Sequence, residues 1–558
     1  MEDKKEKLAL LIRKAIDEAA SSKGLKIPDG FSVLLERPRR EGQGDWATNA
    51  AMQLAKLFGA KPAELAGEIA SRLGECADIA GVEVAMPGFL NFTLTDNWIA
   101  DIIKDALKQG KNYGRSDSGQ GRRIQVEFVS ANPTGPIHLG HGRGAAVGDV
   151  VSSVLEFAGW KAEREYYIND AGLQMENLGK STQSRYFALL GREAEAPFPK
   201  DGYPGDYIDG IAKRILDENG PSLADRPLEE TVAFFRDETC KDVLEFIKKD
   251  LSDFGVSFDV WFSERSLFEG DIVPRTIALL KSRGFAYESE GAVWFRSTEF
   301  GDDKDRVMVR NNGITTYFTS DIAYLQDKYE RGFDRLVYVW GADHHGYVPR
   351  IRSVNKALGA SDDRLDIMLI QFVSLLRDGV PVSMSKREGT FVTLREVMDE
   401  VGRDATRFSF VNRKCDSHLE FDLEVAKRTS SDNPVYYVQY AHARICSIMR
   451  EAASRGVRMP DISEIEPGAL SDPFEIRLAK EISRFPEEAQ KAASNLEPHR
   501  IALYASSIAE AFHAFYNSKK VLGEEERVMN ARLLLTAAAK VAISNALSLL
   551  GISAPEKM

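Results

Sequence analysis

The chain opens with charged and apolar residues interleaved at helical spacing, MEDKKEKLALLIRKAIDEAA, the pattern of a surface amphipathic helix. Helices and short strands continue to about residue 110, closing with strand-like GFLNFTLT (Gly88 to Thr95) and a helix from Asp96. The polar, glycine-rich KNYGRSDSGQGRR reads as a linker. IQVEFV (Ile124 to Val129) is a compact apolar, β-branched run that suits a buried strand. Two prolines in SANPTGP break it. From His138 the pattern becomes helical, HLGHGRGAAVGDVVSSVLEFAG, and stops at Gly159. KAEREYYIND (Lys161 to Asp170) predicts the next strand. Strand, loop, helix and strand together form the building block of a parallel sheet.

Residues 180 to about 265 are helical by pattern and read as an insertion. The sheet pattern resumes at RLVYVWG (Arg335 to Gly341) and, after a helix, at DIMLIQFVSLL (Asp366 to Leu376). A turn at RDGV (Arg377 to Val380) leads into PVSMSKREG. Helical periodicity dominates from about Glu396, and NPVYYVQYAHARICSIMREAA starts a long amphipathic helix with Pro434 near its beginning. The predicted fold class is α/β: a small α+β domain over 1–110, a doubly wound parallel-sheet domain over 121–395 split by the helical insertion, and an all-helical domain over 396–558.

A chain of 558 residues has ample length for several cores. Neither a signal-peptide-like apolar core nor a stretch approaching 18 uncharged apolar residues is present, which points away from a membrane and toward the cytoplasm. Cys76, Cys240, Cys415 and Cys446 lie far apart without a CxxC pair, so reduced thiols are expected rather than disulfides or a zinc knuckle. The net charge of −12 argues weakly against a nucleic-acid partner. A local basic face on an acidic body still permits one.

Two segments carry chemistry. HLGH places His138 and His141 around Gly140 at the start of a helix that directly follows a strand. Helix N-termini at the carboxyl ends of parallel strands favour phosphates, and imidazole N–H groups add donors. A helix with two incidental histidines and an H-x-x-H metal pair are the alternatives. The second lacks the additional ligands zinc requires. VSMSKREG (Val382 to Gly389) carries Lys386 and Arg387, with small Ser383, Ser385 and Gly389 suited to a phosphate-gripping loop. Alone it reads as a solvated basic loop; two such elements in this order, each after a strand, are far more specific.

HLGH followed by MSKR resembles the paired HIGH and KMSKS sequences of class I aminoacyl-tRNA synthetases. The interval between His138 and Lys386 leaves little room for the large editing domain of the leucyl, isoleucyl and valyl enzymes. The arginyl resemblance covers nearly the whole chain: VEFVSANPTGPIHLGHGRGA, TTYFTSDIAY, VWGADHHGY, VGRDATRF, NPVYYVQYAHARICSI, FHAFYN and LLGISAPEKM, with QGDWATNAAMQLAK and PGFLNFTL in the first domain. It implies a Rossmann domain, an N-terminal domain on the tRNA elbow and a helical anticodon-binding domain. The reaction implied is ATP-dependent joining of L-arginine to its tRNA, with Mg²⁺ carried by the substrate, in a cytoplasmic monomer whose activation step needs bound tRNA. His138, His141 and Lys386 would act on the phosphates. Pro133, Gly140, Arg143, Gly341, Asp343, His344, Ser385 and Arg387 would hold ATP. Glu127 and Asn132 would take the α-amino end of arginine and Tyr317 and Asp321 its guanidinium, with Ser130 and Asp343, the latter where related enzymes place a polar residue, often Gln, also binding arginine. A planar cationic fork is best met by carboxylates. Phe89 and Asn91 match positions that contact a D-loop base, a combination of stacking and amide hydrogen bonding suited to single-stranded RNA.

The pattern departs from the family at Ser383, which replaces the first lysine of KMSKS, and at Gly135, where arginyl enzymes of that kind often carry a compensating lysine. Arg143 or Arg387 is expected to supply the missing charge. The other readings are a class I synthetase for another amino acid such as lysine or glutamate, a catalytically silent RNA-binding paralogue, and a small HxGH nucleotidyltransferase fused to helices.

Overall fold

The computed structural model describes residues 2–38, 42–74, 76, 78–95, 97–382 and 392–558. The chain forms two compact units. The first comprises Met1–Tyr113, Ile445–Arg484 and Glu510–Ala542. Its antiparallel sheet has Phe89–Leu94 at the centre, flanked by Trp46–Thr48 and Ile79–Ala85. Leu90 and Phe92 point into a core with Ile12, Ile16, Leu54, Leu65 and Ile69 from the helices Glu2–Ser21, Ala50–Phe58 and Pro62–Arg72. Phe89 and Asn91 therefore lie on the opposite sheet face, because side chains alternate along a strand. Helix Glu526–Leu549 is long and apolar enough to cross a membrane, but 78% of its apolar window is buried inside the protein.

The second unit comprises Gly114–Arg444, Phe485–Ala509 and Ile543–Met558. Its centre is a parallel sheet of β1 (Arg123–Phe128), β2 (Lys161–Ile168), β3 (Val260–Ser263), β4 (Arg335–Gly341) and β5 (Leu365–Ile370), in the spatial order β5-β4-β1-β2-β3. This is the doubly wound order whose strand direction of progression reverses between β1 and β4. Ile124, Val126 and Phe128 are fully buried on one face of β1. There Gly148 of α1 (Leu139–Phe157) lets helix and strand approach so closely that a β-carbon would strike the Phe128 ring. Gln125 and Glu127 are buried on the other face, toward α2 (Tyr317–Glu330).

Four expectations need correction. Val129 is not part of the first strand: it adopts φ 66, and Ser130 N–H turns back to Phe128 O at 2.9 Å. The apolar run from Asp366 to Leu376 is two strands in two sheets, β5 and Val373–Arg377. Gln371 lies between them, held through N–H to Cys415 O and through its own carbonyl by Arg143. The stretch from 396 is not all-helical: Leu419–Asp422 is a strand paired in parallel with Val373–Arg377. A small antiparallel sheet, Ala286–Ser289, Ala292–Phe295 and Arg306–Val309, precedes α2 and has strands too short for periodicity to reveal. The helices Leu173–Leu189, Asp206–Asn219 and Leu228–Asp253 fill the expected insertion.

Arg407, fully buried, ties this unit together. Its guanidinium meets Asp149 of α1 at 2.5 Å and the carbonyls of Leu550, Phe254 and Gly255 at 2.9, 3.2 and 3.3 Å. Asp149 also meets Arg164 at 3.3 Å, so removing Arg407 takes one of its two cations and leaves three buried carbonyls without this donor. Arg407→Met is therefore expected to cost about 3–5 kcal/mol, measured as a lower urea midpoint, with part of the loss recovered in Asp149→Asn/Arg407→Met.

Candidate active site

The side chains of interest collect at the carboxyl edge of the parallel sheet, where ligands bind in this architecture. At the reversal point, β1 is followed by Val129 and Ser130, both non-glycine residues at positive φ, 66 and 42. For β-branched Val129 this is a strained conformation. The chain then runs through Pro133 to His138, which caps α1: its Nδ1 accepts from Gly140 N–H at 3.1 Å. That bond leaves the His138 proton on Nε2. His138 and His141 stack with ring centroids 3.7 Å apart. Burial, and secondarily the neighbouring His138, pushes the His141 imidazole down to about 3. His141 is thus neutral at physiological pH, and its buried Nδ1 has no hydrogen-bond partner among the described residues.

Ser385, Lys386 and Arg387, with Ser383 and Gly389, lie outside the described residues. The residues on either side of that segment are described. Val382 N–H bonds to Leu375 O at 2.8 Å. Leu139 N–H bonds to Val392 O and Leu394 N–H to Ile137 O, at 3.2 and 2.9 Å, and His138 pairs with Thr393. The chain from Val392 to Leu394 therefore lies directly against the start of α1.

Arg143 does not face this opening, contrary to expectation. It is 0% exposed and donates to the carbonyls of Gln371, Ser417 and Lys414 at 2.7, 2.9 and 2.9 Å. With its charge spent on joining α1 to the chain beyond β5, it is a tether and not an ATP ligand. Gly135 packs on Tyr207, whose hydroxyl donates to Thr134 O; a β-carbon at Gly135 would lie 3.1 Å from that hydroxyl.

Across the crevice, β4 ends in Gly341, with Asp343 and His344 largely exposed and 3.7 Å apart. Toward β2 and β3 the site is acidic. Glu127 accepts from Ser130 Oγ at 3.2 Å and from Lys328 Nζ of α2 at 2.5 Å. Asn132 is exposed. Tyr317, 60% exposed, begins α2 beside Gly172. One turn on, Asp321 accepts from Tyr347 hydroxyl. Burial, reinforced by the charges of Glu264 and Glu127 and opposed by the Tyr347 bond, pushes the Asp321 carboxyl up to about 7. Glu264, immediately after β3, is 3% exposed, and its Oε2 is buried without a hydrogen-bond partner among the described residues. Burial raises it too, with Asp170 adding and bonds from Ser320 and Tyr167 opposing.

Glu264, Tyr347 and Lys328 were absent from the sequence reading. Lys328 sits in a recognisable helical row with Tyr317, Asp321 and Tyr324. Glu264 and Tyr347 had no such local signal. Among the described residues no group of three or more His, Cys, Asp and Glu side chains is placed to hold a metal ion.

The family model for the class I arginyl-tRNA synthetase catalytic domain matches residues 102–187 and 226–442, more than half of the chain. The chain belongs to the arginyl-tRNA synthetase family. Models for the arginyl-tRNA synthetase N-terminal domain and the DALR anticodon-binding domain match residues 6–94 and 438–558 of this family member. It is 50% identical to the arginine–tRNA ligase of Syntrophotalea carbinolica over 94% of this chain and 95% of the relative. It is 48% identical to that of Desulforamulus reducens over 99% and 97%. The fold also matches the Thermus thermophilus arginyl-tRNA synthetase structure, with TM-score 0.75 at 22% identity, over 99% of this chain and 100% of that one.

The strain at Val129 predicts a separation of stability from activity in this synthetase. Val129→Gly should stabilise the enzyme by about 1 kcal/mol in thermal unfolding while slowing aminoacylation, because the turn loses its fixed geometry.

Proposed function

We propose that the enzyme joins L-arginine to tRNA in two transfers at the carboxyl edge of the parallel sheet. A carboxylate oxygen of arginine attacks the α-phosphate of ATP, pyrophosphate leaves, and arginyl-AMP forms. A hydroxyl of the tRNA 3′-terminal ribose then attacks the arginyl carbonyl, gives up its proton, and AMP leaves. The observation that carries the amino-acid assignment is the unpartnered buried Oε2 of Glu264 beside Asp321. Buried acceptors require donors, and two clustered carboxylates call for a cation with several N–H groups, as a guanidinium has.

In this reading Asp321, Glu264 and the Tyr317 ring take the guanidinium, with Asp343 at the rim. Glu127, Ser130 and Asn132 take the α-ammonium. Pro133, Gly140, Gly341 and His344 line the ATP side. The Nε2–H of His138 and neutral His141 donate to phosphate oxygens, aided by the N-terminus of α1. Lys386, Ser385 and Arg387 complete the phosphate grip, and Arg387 supplies the charge that Arg143 does not. Mg²⁺ arrives with ATP. Because the nucleophile is an ionised carboxylate, activation needs stabilisation of phosphate charge and no general base. Phe89, with Asn91 (6% exposed), contacts the tRNA elbow, and the helical C-terminal domain contacts the anticodon. The family reading also supports a cytoplasmic monomer.

Arginine-dependent ATP–pyrophosphate exchange with and without arginine tRNA tests the assignment. Exchange that appears only with tRNA is expected. Exchange with lysine or glutamate instead would replace the amino acid, and none with any of the three would favour a silent RNA-binding paralogue. The acidic pocket gives a second expectation. Arginine binds the ionised form of Asp321, whose carboxyl is pushed up to about 7. The arginine KM should therefore rise about tenfold per unit as pH falls below neutrality, measured by aminoacylation at saturating ATP. Binding of tRNA should weaken steeply with salt through release of phosphate counterions.

A further inference from the structure

Glu127 shares its sheet face with a second carboxylate. The parallel register sets it beside Glu165 of β2 and beside Tyr338 of β4. Glu127 and Glu165 are 5% and 0% exposed. Like charges side by side in a low-dielectric interior cannot both stay ionised without cations at hand. The helix above provides them separately. Arg331 meets both oxygens of Glu165 at 2.6 and 3.0 Å, and Tyr324 hydroxyl donates to the same group. Burial raises Glu165, yet these partners together with Lys328 hold it below the usual carboxylate range. Glu127 is left to Lys328 alone among these cations, at 2.5 Å.

Lys328 is 0% exposed, and its ammonium lies over the rings of Tyr338 and Tyr324, 3.9 and 4.2 Å from their centroids. Burial pulls the Lys328 ammonium below the usual lysine range, opposed by the charges of Glu127 and Glu165 and the bond to Glu127; the two rings also favour the cation and fix its position. The pair is also asymmetric. Lys328 holds Glu127 Oε2, whereas Oε1 faces Ser130 in the strained turn at the mouth of the site.

We propose that Lys328 is a positioning residue for amino-acid recognition: its buried ammonium grips Glu127 from behind, keeps that carboxylate ionised, and presents the other oxygen to the substrate's α-ammonium. This rests on the reading of Glu127 as the α-ammonium ligand. The charged and titratable groups around Glu127 are Lys328, Arg331, Asp321 and Tyr324 from the helix, Glu165 and Tyr167 from β2, Tyr338 from β4, and Glu264 beyond β3. These acids already outnumber the two cations, and removing Lys328 takes away the cation of this set that touches Glu127 while Asp321, Glu165 and Glu264 remain, which favours the protonated form of Glu127.

The test is arginine KM against pH for the wild-type enzyme, Lys328→Met, Lys328→Gln and Glu127→Gln, each confirmed folded by its thermal transition. Lys328→Gln keeps an N–H donor for Glu127 and removes only the charge, so it serves even if Lys328→Met does not fold. In both lysine variants the rise in KM with falling pH should become steeper than the wild-type slope of about tenfold per pH unit, because a second carboxylate must now lose a proton. The ATP KM should change less than about twofold, since uniform loss of one substrate's binding leaves the other's intact. Folded Lys328→Gln with the wild-type slope overturns the proposal. Glu127→Gln with an unchanged arginine KM overturns the reading of Glu127 beneath it. A raised KM in Glu127→Gln beside a wild-type slope in Lys328→Gln removes the Lys328 role and leaves that of Glu127 in place.

Discussion

The larger unit depends on how charges are carried into its interior. Taking an ion out of water costs several kcal/mol even after relaxation, so each buried cation must be met by acceptors. Arg143 finds three carbonyls, Arg407 finds Asp149 and three carbonyls, and Lys328 finds Glu127 and two aromatic faces. The partners lie far apart in sequence. Arg143 joins α1 to the chain after β5, Arg407 joins α1 to the C-terminal segment, and Lys328 joins α2 to β1. Apolar packing alone could tolerate small slips between these elements. An unpaired buried charge cannot, so the three cations set the register in which the strand ends converge.

That convergence divides the site chemically. On the side of β2, β3 and α2, Glu264 and Glu127 raise the cost of ionising Asp321, and Lys328 is the cation that meets Glu127. The pocket walls therefore carry an excess of acid, which an amino acid with two cationic groups relieves. On the side of α1 the donors are neutral imidazole N–H groups and the backbone of a helix start. The reversal of strand order between β1 and β4 allows one crevice to present acceptors at one end and donors at the other.

The parts of the site legible in the sequence were those held in one local segment. His138 and His141 could be read because a strand, a break and a helix start are contiguous, and Tyr317 and Asp321 because they are one helical turn apart. Glu264 and Tyr347 could not: each matters only because β3 and the turn after β4 end beside α2, which no local pattern encodes. Arg143 was misread for a physical reason. An arginine two residues after HLGH faces a phosphate site only if its side chain points out of the crevice wall, and here it points into the protein. The strand at Asp366 was read too long because hydrophobic periodicity cannot detect a chain leaving one sheet for another at Gln371. Phe89 and Asn91 could be put on one sheet face from alternation alone, but not the burial of Asn91.

The state of the two histidines bears on the chemistry they can perform. A histidine pushed down to about 3 is a poor proton acceptor near neutrality, so His141 is unsuited to general-base catalysis. His138 spends Nδ1 on Gly140 N–H and has only Nε2–H to offer. Both rings are thereby restricted to donating, and their stacking makes a second positive charge costly. A site for carboxylate attack on phosphorus needs this restriction, because its nucleophile arrives ionised and an imidazolium pair would bind the anionic ground state as firmly as the transition state. Neutral donors held by a helix cap can instead strengthen as charge moves onto the phosphate oxygens, which is the differential binding that accelerates the step.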